Sequence, residues 1–313
     1  MFEIKRYEPS HEQAWNDFVA RSKNGTFLFD RRFMDYHSDR FTDSSLMILR
    51  KGRIYALLPA NRVGDTLHSH QGLTYGGLLT DAKATAEGVM EAFGALNAWL
   101  RNEGVRRVTY KAMPWIYHRL PAEEDLYALT QVCHARLLTR EISSTILLQQ
   151  PLRFTESRKS GLRKALHEGL YMEESGDLAA FWQMLDDNLA SRHHTHPVHS
   201  LAELRLLQGR FPQQIHLYLI YNKEKEPVGG TWVFDTGQVV HTQYIASTKE
   251  GKAHGALDLL FDELINRRYR EGIYLDFGKS TEEGGRGLNE HLIFQKEGFG
   301  GRGVCYDTYE WEP

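Results

Sequence analysis

The side chains that could do chemistry lie in four stretches of this 313-residue chain. Asp276 stands at the end of the apolar run Ile273 to Phe277, and a carboxylate at the carboxyl end of a strand can take a proton from a substrate. The run His193-His194-Thr195-His196-Pro197-Val198-His199 offers two further bases, His196 and His199, on a loop that could touch a substrate. A metal would need ligands on one face. His196 and His199 stand at i, i+3, but Pro197 lies between them and no nearby carboxylate or cysteine completes a set. No metal is expected, and a zinc hydrolase is the weakest reading. In the first half, Ser69-His-Gln-Gly-Leu-Thr-Tyr75-Gly-Gly77 and the loop after Pro114-Trp115 follow strand ends, a favoured place for ligands in α/β sheets. Gln71, Tyr75, Lys111, Tyr117 and His118 are the expected substrate set there, and Gly76-Gly77 reads as a bend. Arg158, Lys159, Arg163 and Lys164 form a basic cluster at helical spacing, either a solvated helix face or a contact for phosphate.

The elements that must hold these residues follow from periodicity. Ser10 with Gln13 reads as a capping box ahead of a helix carrying Trp15, Phe18 and Val19. Leu46 to Leu49, Ile54 to Leu58 and the stretch around Thr66 to His68 read as strands, with Lys51-Gly52 turning between the first two. Val89, Phe93, Leu96 and Leu100 predict an amphipathic helix stopped by Gly104, followed by a strand over Val105 to Tyr110, a helix over Asp125 to Leu138 and a strand over Ile142 to Leu148. The second half repeats the order about 170 residues on, with strands over Ile215 to Ile220, Val228 to Phe234 and Val239 to Ile245. A helix through Leu257, Phe261 and Ile265, the strand Ile273 to Phe277, a helix over Leu288 to Glu297 and a final strand over Val304 to Trp311 complete it. Ser200 with Glu203 is a second capping box, before Leu204 and Leu207. The pattern predicts an α/β (α+β) chain of two like domains, residues 1–150 and 151–313, each a mixed, mostly antiparallel sheet flanked by helices.

Composition narrows the class. Hydrophobic residues make up 41% and charged residues 25%, which argues against a disordered chain or a fibre. No apolar run approaches the ~18 residues of a membrane span, and no secretory signal is visible, so a cytoplasmic protein without membrane insertion is expected. A net charge of −3 supplies no general field for nucleic acid. Cys133 and Cys305 make no disulfide framework.

The duplicated layout, Arg158-Lys-Ser-Gly-Leu-Arg-Lys-Ala165, Asp276-Phe277-Gly278 and Gln295-Lys296-Glu-Gly-Phe-Gly300 together resemble the tandem-GNAT, Fem-type (FemABX-like) acyltransferases. Gln243-Tyr-Ile-Ala-Ser and Lys249-Glu-Gly-Lys-Ala-His-Gly-Ala256 resemble the fourth strand and the following phosphate turn of GNAT domains. The resemblance implies transfer of an acyl or aminoacyl group to an amine of a sugar or peptide cell-envelope precursor. It implies a donor site in the second domain formed by Gln243, Tyr244, Ala246, Gly251, Lys252, Gly255 and Ala256, with acyl-CoA as co-substrate. It also implies that Lys296 stabilises the tetrahedral intermediate; Asp276 is a possible base, and the acceptor cleft is expected between the domains. The Fem-type donor is aminoacyl-tRNA, which the slightly acidic chain disfavours. Phe294 stands where many GNAT enzymes carry the tyrosine that protonates the departing thiolate. The alternative is a GNAT-derived binding or structural protein without catalysis.

Overall fold

The computed structural model describes residues 1–193 and 195–313, so His194 of the histidine run lies outside the described residues. In chain order the first elements are β1 (Phe2–Arg6), α1 (Glu12–Arg21), α2 (Arg31–Met34), β2 (Leu46–Arg50), β3 (Arg53–Leu58), β4 (Asn61–Val63), β5 (Thr66–His68) and β6 (Leu79–Thr80). Then come α3 (Ala86–Asn102), β7 (Arg107–Lys111), α4 (Glu124–Gln131), β8 (Arg136–Leu147), α5 (Glu156–His167) and β9 (Tyr171–Glu174). The chain continues through α6 (Leu178–His193), α7 (Leu201–Arg210), β10 (Ile215–Tyr221), β11 (Pro227–Asp235), β12 (Val239–Ser247), α8 (Lys249–His254) and α9 (Ala256–Glu263). It closes with β13 (Tyr274–Lys279), β14 (Thr281–Glu282), β15 (Gly287–Leu288), α10 (Glu290–Gly298) and β16 (Arg302–Trp311).

Two of the predicted boundaries that moved did so for a plain local reason. Pro9 opens a 3-10 turn over Pro9–His11, so α1 starts at Glu12 with His11 before it and Ser10 caps nothing. The helix expected to reach Leu138 stops at Gln131, because His134 takes a left-handed φ of 48° and the chain leaves it as the long strand β8. The Ser200 capping box forms as expected.

The chain divides into two compact units, one of Met1–Ile142, Glu283–Arg286 and Cys305–Pro313, the other of Ser143–Glu282 and Gly287–Val304. The first holds an antiparallel sheet β1-β2-β3-β6 and the strand order β4-β5-β7-β16. The last strand belongs here: Thr308 to Trp311 pair with Lys111 to Val108, and Trp311 Nε1 donates to Asn97 Oδ1 at 2.9 Å. Its core packs Val89, Phe93, Leu96 and Leu100 of α3 on Leu46, Ile48, Val108, Tyr110 and Trp311. Full burial of each such leucine or phenylalanine contributes about 1.5–3 kcal/mol.

The second unit has the order β8-β13-β12-β11-β10-β9, antiparallel throughout except for β12 beside β13. Leu259, Leu260 and Phe261 of α9 pack with Ile146, Val233, Val240, Leu275, Phe277 and Phe299. Each unit therefore contains one parallel pair, and each pair is three residues long. In the first unit Thr66, Leu67 and His68 face Arg107, Val108 and Thr109; in the second Val239, Val240 and His241 face Tyr274, Leu275 and Asp276.

Candidate active site

Beyond the His241–Asp276 pair, β12 and β13 separate, although β12 runs on to Ser247 and β13 to Lys279. A bulge promotes the parting. Trp232 of β11 faces Tyr244 and Val233 faces Thr242, so Gln243 is the extra residue and bends β12 there. The Gln243 Oε1 atom is buried without a hydrogen-bond partner among the described residues.

The gap holds a cavity of about 320 Å³, lined by Ile245, Ala246 and Ser247 of β12, Phe277 of β13, Leu185, Asn188 and Leu189 of α6, Lys252, Leu257 and Phe261 of α8 and α9, Leu292, Gln295 and Lys296 of α10, and Phe299. A second cavity of about 430 Å³ shares Asn188, Ser247 and Lys252 with it and extends to Thr248, Lys249 and Asp187. The two make an apolar pocket with a basic mouth.

Lys296 is 4% exposed, and its ammonium donates to Gly278 O at 2.7 Å, Lys279 O at 3.0 Å and Ser280 Oγ at 2.9 Å. Burial pushes its pKa down to about 8, opposed by the attraction of Asp276. Asp276 is fully buried: Ser143 and Thr145 hydroxyls donate to Oδ1, and His241 Nδ1 lies 3.0 Å from Oδ2. A carboxylate held on three sides orients the imidazole rather than meeting a substrate itself.

The other expected donor residues divide into two groups. Ala246 and Lys252 line the cavity beside Lys296. Gly251, Gly255 and Ala256 serve packing: a Cβ on Gly251 would lie 1.9 Å from Val228 O, and one on Gly255, whose φ is +77°, would lie 2.3 Å from Gly161 O. Ala256 is wholly buried in the core. The glycines of this turn are thus covered by β11 and α5. Tyr244 turns its hydroxyl to His199 Nδ1 at 2.6 Å, with its pKa pushed up to about 12 by burial. His199 is brought against Tyr244 and Trp232, whereas His196 is exposed and pairs with Asp186 of α6 at 2.7 Å. Among the described residues no group of three His, Cys, Asp or Glu is placed to hold a metal.

In the first unit the expected substrate set is drawn together by internal bonds. Lys111 Nζ donates to Gln71 O and Leu73 O, both at 3.0 Å. The Gln71 side chain accepts from Asn61 Nδ2 at 2.7 Å. Tyr75 and Tyr117 are buried ring against ring, 4.4 Å between centroids, with Tyr117 OH 2.9 Å from Tyr306 OH. His118 is half-buried, with its pKa lowered to about 4 by burial and the nearby Lys23 charge. The basic cluster of α5 is partly spoken for as well, Arg158 by Asp258 and Lys159 by Glu156.

Sequence reading missed His241, Asn188, Lys249 and Ser280. His241 had a signal, since it stands two residues before Gln243 on a strand already singled out. Asn188 had none, as nothing in α6 marks which of its faces meets β12.

Each unit thus sets one short parallel strand pair among antiparallel strands with helices packed against them, the layout of a GNAT domain. Residues 154–284 match the family of acetyltransferase (GNAT) domains. Over 99% of this chain and 97% of the other, the structure is similar to FemX, with a TM-score of 0.68 at 11% identity. L-PGS from Bacillus licheniformis is similar over 97% of this chain and 92% of its own, with a TM-score of 0.61 at 13% identity. A tandem GNAT protein from the clavulanic acid biosynthesis pathway is similar over 100% and 98%, with a TM-score of 0.52 at 12% identity. No curated protein matches the sequence. These likenesses show a tandem GNAT fold.

Proposed function

We propose that the second unit transfers an acyl group from acyl-CoA to an amine of a sugar or peptide cell-envelope precursor. The observation that carries this reading is the parting of β12 from β13 beside an apolar cavity whose lining includes the buried Lys296. The donor supplies an activated carbonyl. Ile245, Ala246, Phe261 and Phe277 enclose its acyl end and keep water away. Lys249 and Lys252 at the mouth take its phosphates by charge, a task the covered Gly251 and Gly255 leave to them.

Lys296 lowers the energy of the oxyanion chiefly through its charge, since its three protons already have acceptors. The Ser280 hydroxyl is the acceptor that can turn away and release one. His241, held by Asp276, receives the proton that the attacking amine gives up as the new N–C bond forms and the donor's leaving group departs.

Aminoacyl-tRNA is the second reading for the donor, favoured by the covered glycines of the phosphate turn and by the likeness to FemX in fold. Acetyl-CoA, longer acyl-CoAs and charged tRNA, offered side by side to the purified protein with amino-sugar and peptide acceptors, test the assignment. Turnover with a CoA ester is expected. Turnover with charged tRNA alone moves the donor to the second reading, and binding without turnover of either leaves the non-catalytic alternative.

A further inference from the structure

The first unit carries a groove of about 870 Å³ that the acyl-transfer reading does not use. Arg50, Lys51 and Arg53 of the β2–β3 hairpin, Arg21 of α1 and Lys83 beyond β6 stand around it, with Asp17 and Asp81 as its carboxylates. Five cations thus face two acids on a chain whose net charge is −3. Asp17 accepts from Gln13 Nε2, Asp81 accepts from Lys83 N and lies 4.0 Å from Arg21 Nε, and Arg50 lies 3.9 Å from Glu91. Among the described residues, Lys51, Arg53 and Lys83 have no carboxylate within ion-pair distance. Ala14, Ile54 and Tyr55 also line the groove.

The hairpin is built against local preference. Arg50 and Arg53 face each other directly across it, a like-charge pair that repels. Lys51 takes a left-handed φ of 53° next to Gly52, a position that favours asparagine, aspartate or glycine. Departures of this kind, three in four consecutive residues and all placing positive charge, mark a functional surface. The corresponding hairpin of the second unit shows that the fold does not require the run of uncompensated positive charge. Lys225 there repeats the left-handed lysine, but Glu224 and Glu226 flank it.

We propose that this groove is an anion site that binds a phosphomonoester or diphosphate group, with the ligand's flat or apolar part lying on Tyr55 and Ile54. The site stands whether or not the second unit transfers an acyl group. Calorimetric titration of the full chain with inorganic pyrophosphate at low ionic strength tests it. Saturable binding is expected, weakened about tenfold or more in Arg53→Gln/Lys83→Gln and unchanged in Arg205→Gln, an exposed cation of α7. Parallel titrations with ADP and with phosphatidylglycerol vesicles separate a soluble phosphate ester from a lipid headgroup as its source. No pyrophosphate binding by the unaltered chain overturns the proposal. So does binding that survives in the double variant, which would belong to Lys249 and Lys252 in the second unit.

Discussion

The two units treat the same gap in opposite ways. In both, a parallel strand pair ends on a histidine of the first strand, His68 facing Thr109 and His241 facing Asp276. In the first unit the chain then turns back into the opening. Ser69 N donates to Thr109 O, Lys111 N to Ser69 Oγ and Gly76 N to Lys111 O, so the segment from Ser69 to Gly77 fills the space. Gly76 is needed for this fit, because a Cβ there would lie 1.7 Å from Ser69 O. In the second unit the chain bulges at Gln243 and enters α8, leaving the gap as a cavity. Each unit also sets a lysine on two backbone carbonyls, Lys111 on Gln71 and Leu73 and Lys296 on Gly278 and Lys279. One ties down a plug; the other faces the open pocket. Duplication supplied the same scaffold twice, and a few residues after the strand pair decide whether it is closed or available.

The largest effect should come from exchanging each lysine for methionine, which keeps length and removes charge. Lys296→Met is expected to lower kcat about 10²–10³-fold, the loss typical of an oxyanion contact, with the circular dichroism of the fold retained. Lys111→Met should leave kcat unchanged and cost about 1 kcal/mol in urea unfolding, as two carbonyls lose their donor. A loss of turnover in Lys111→Met at unchanged stability would break the comparison and return Gln71, Tyr75 and Lys111 to the acceptor site expected from sequence.

The pH dependence sharpens the same contrast. Lys296 titrates near 8 in the folded chain instead of at its ordinary value of 10.5. Between those values the unfolded chain binds more protons, so stability rises as pH rises through the window, by on the order of 3 kcal/mol. Activity should move the other way if Lys296 serves the oxyanion as proposed, since only its ammonium can do so: kcat should fall as pH passes 8. Both trends should vanish from chemical melts and from the residual rate of Lys296→Met. A kcat that rises through pH 8 would mean that neutral Lys296 acts as a base.

Much of the architecture is legible in sequence, and the reasons are physical. The period of Val89, Phe93, Leu96 and Leu100 specifies α3, and the buried alternation of the meanders specifies their strands. Local signals fail where a neighbour decides. Pro9 displaced the cap assigned to Ser10, and His134 ended α4 by a turn that no glycine announces. Lys296 and Asp276 were singled out in sequence through a motif resemblance. Lys111 and Lys296 look alike in sequence, and only the path of Ser69–Gly77 tells which of them borders open space. The glycines of 251–256 resemble a phosphate cradle in residue type, yet the atoms that cover them come from β11 and α5, elements distant in the chain.

Phe294 gives the smallest expected effect and separates two chemistries. If this were a GNAT site that had lost its acid, restoring the hydroxyl with Phe294→Tyr should speed turnover, most of all for donors with poor leaving groups. The side chain, however, is 71% exposed and absent from the cavity lining that Gln295 and Lys296 join from the same helix. A hydroxyl placed there meets water. Phe294→Tyr is therefore expected to change stability by less than about 0.5 kcal/mol and to leave kcat within experimental scatter. A tenfold gain would place the departing group beside residue 294 and move the reaction out of the β12–β13 gap; an unchanged rate keeps it beside Lys296, where the second unit differs most from the first.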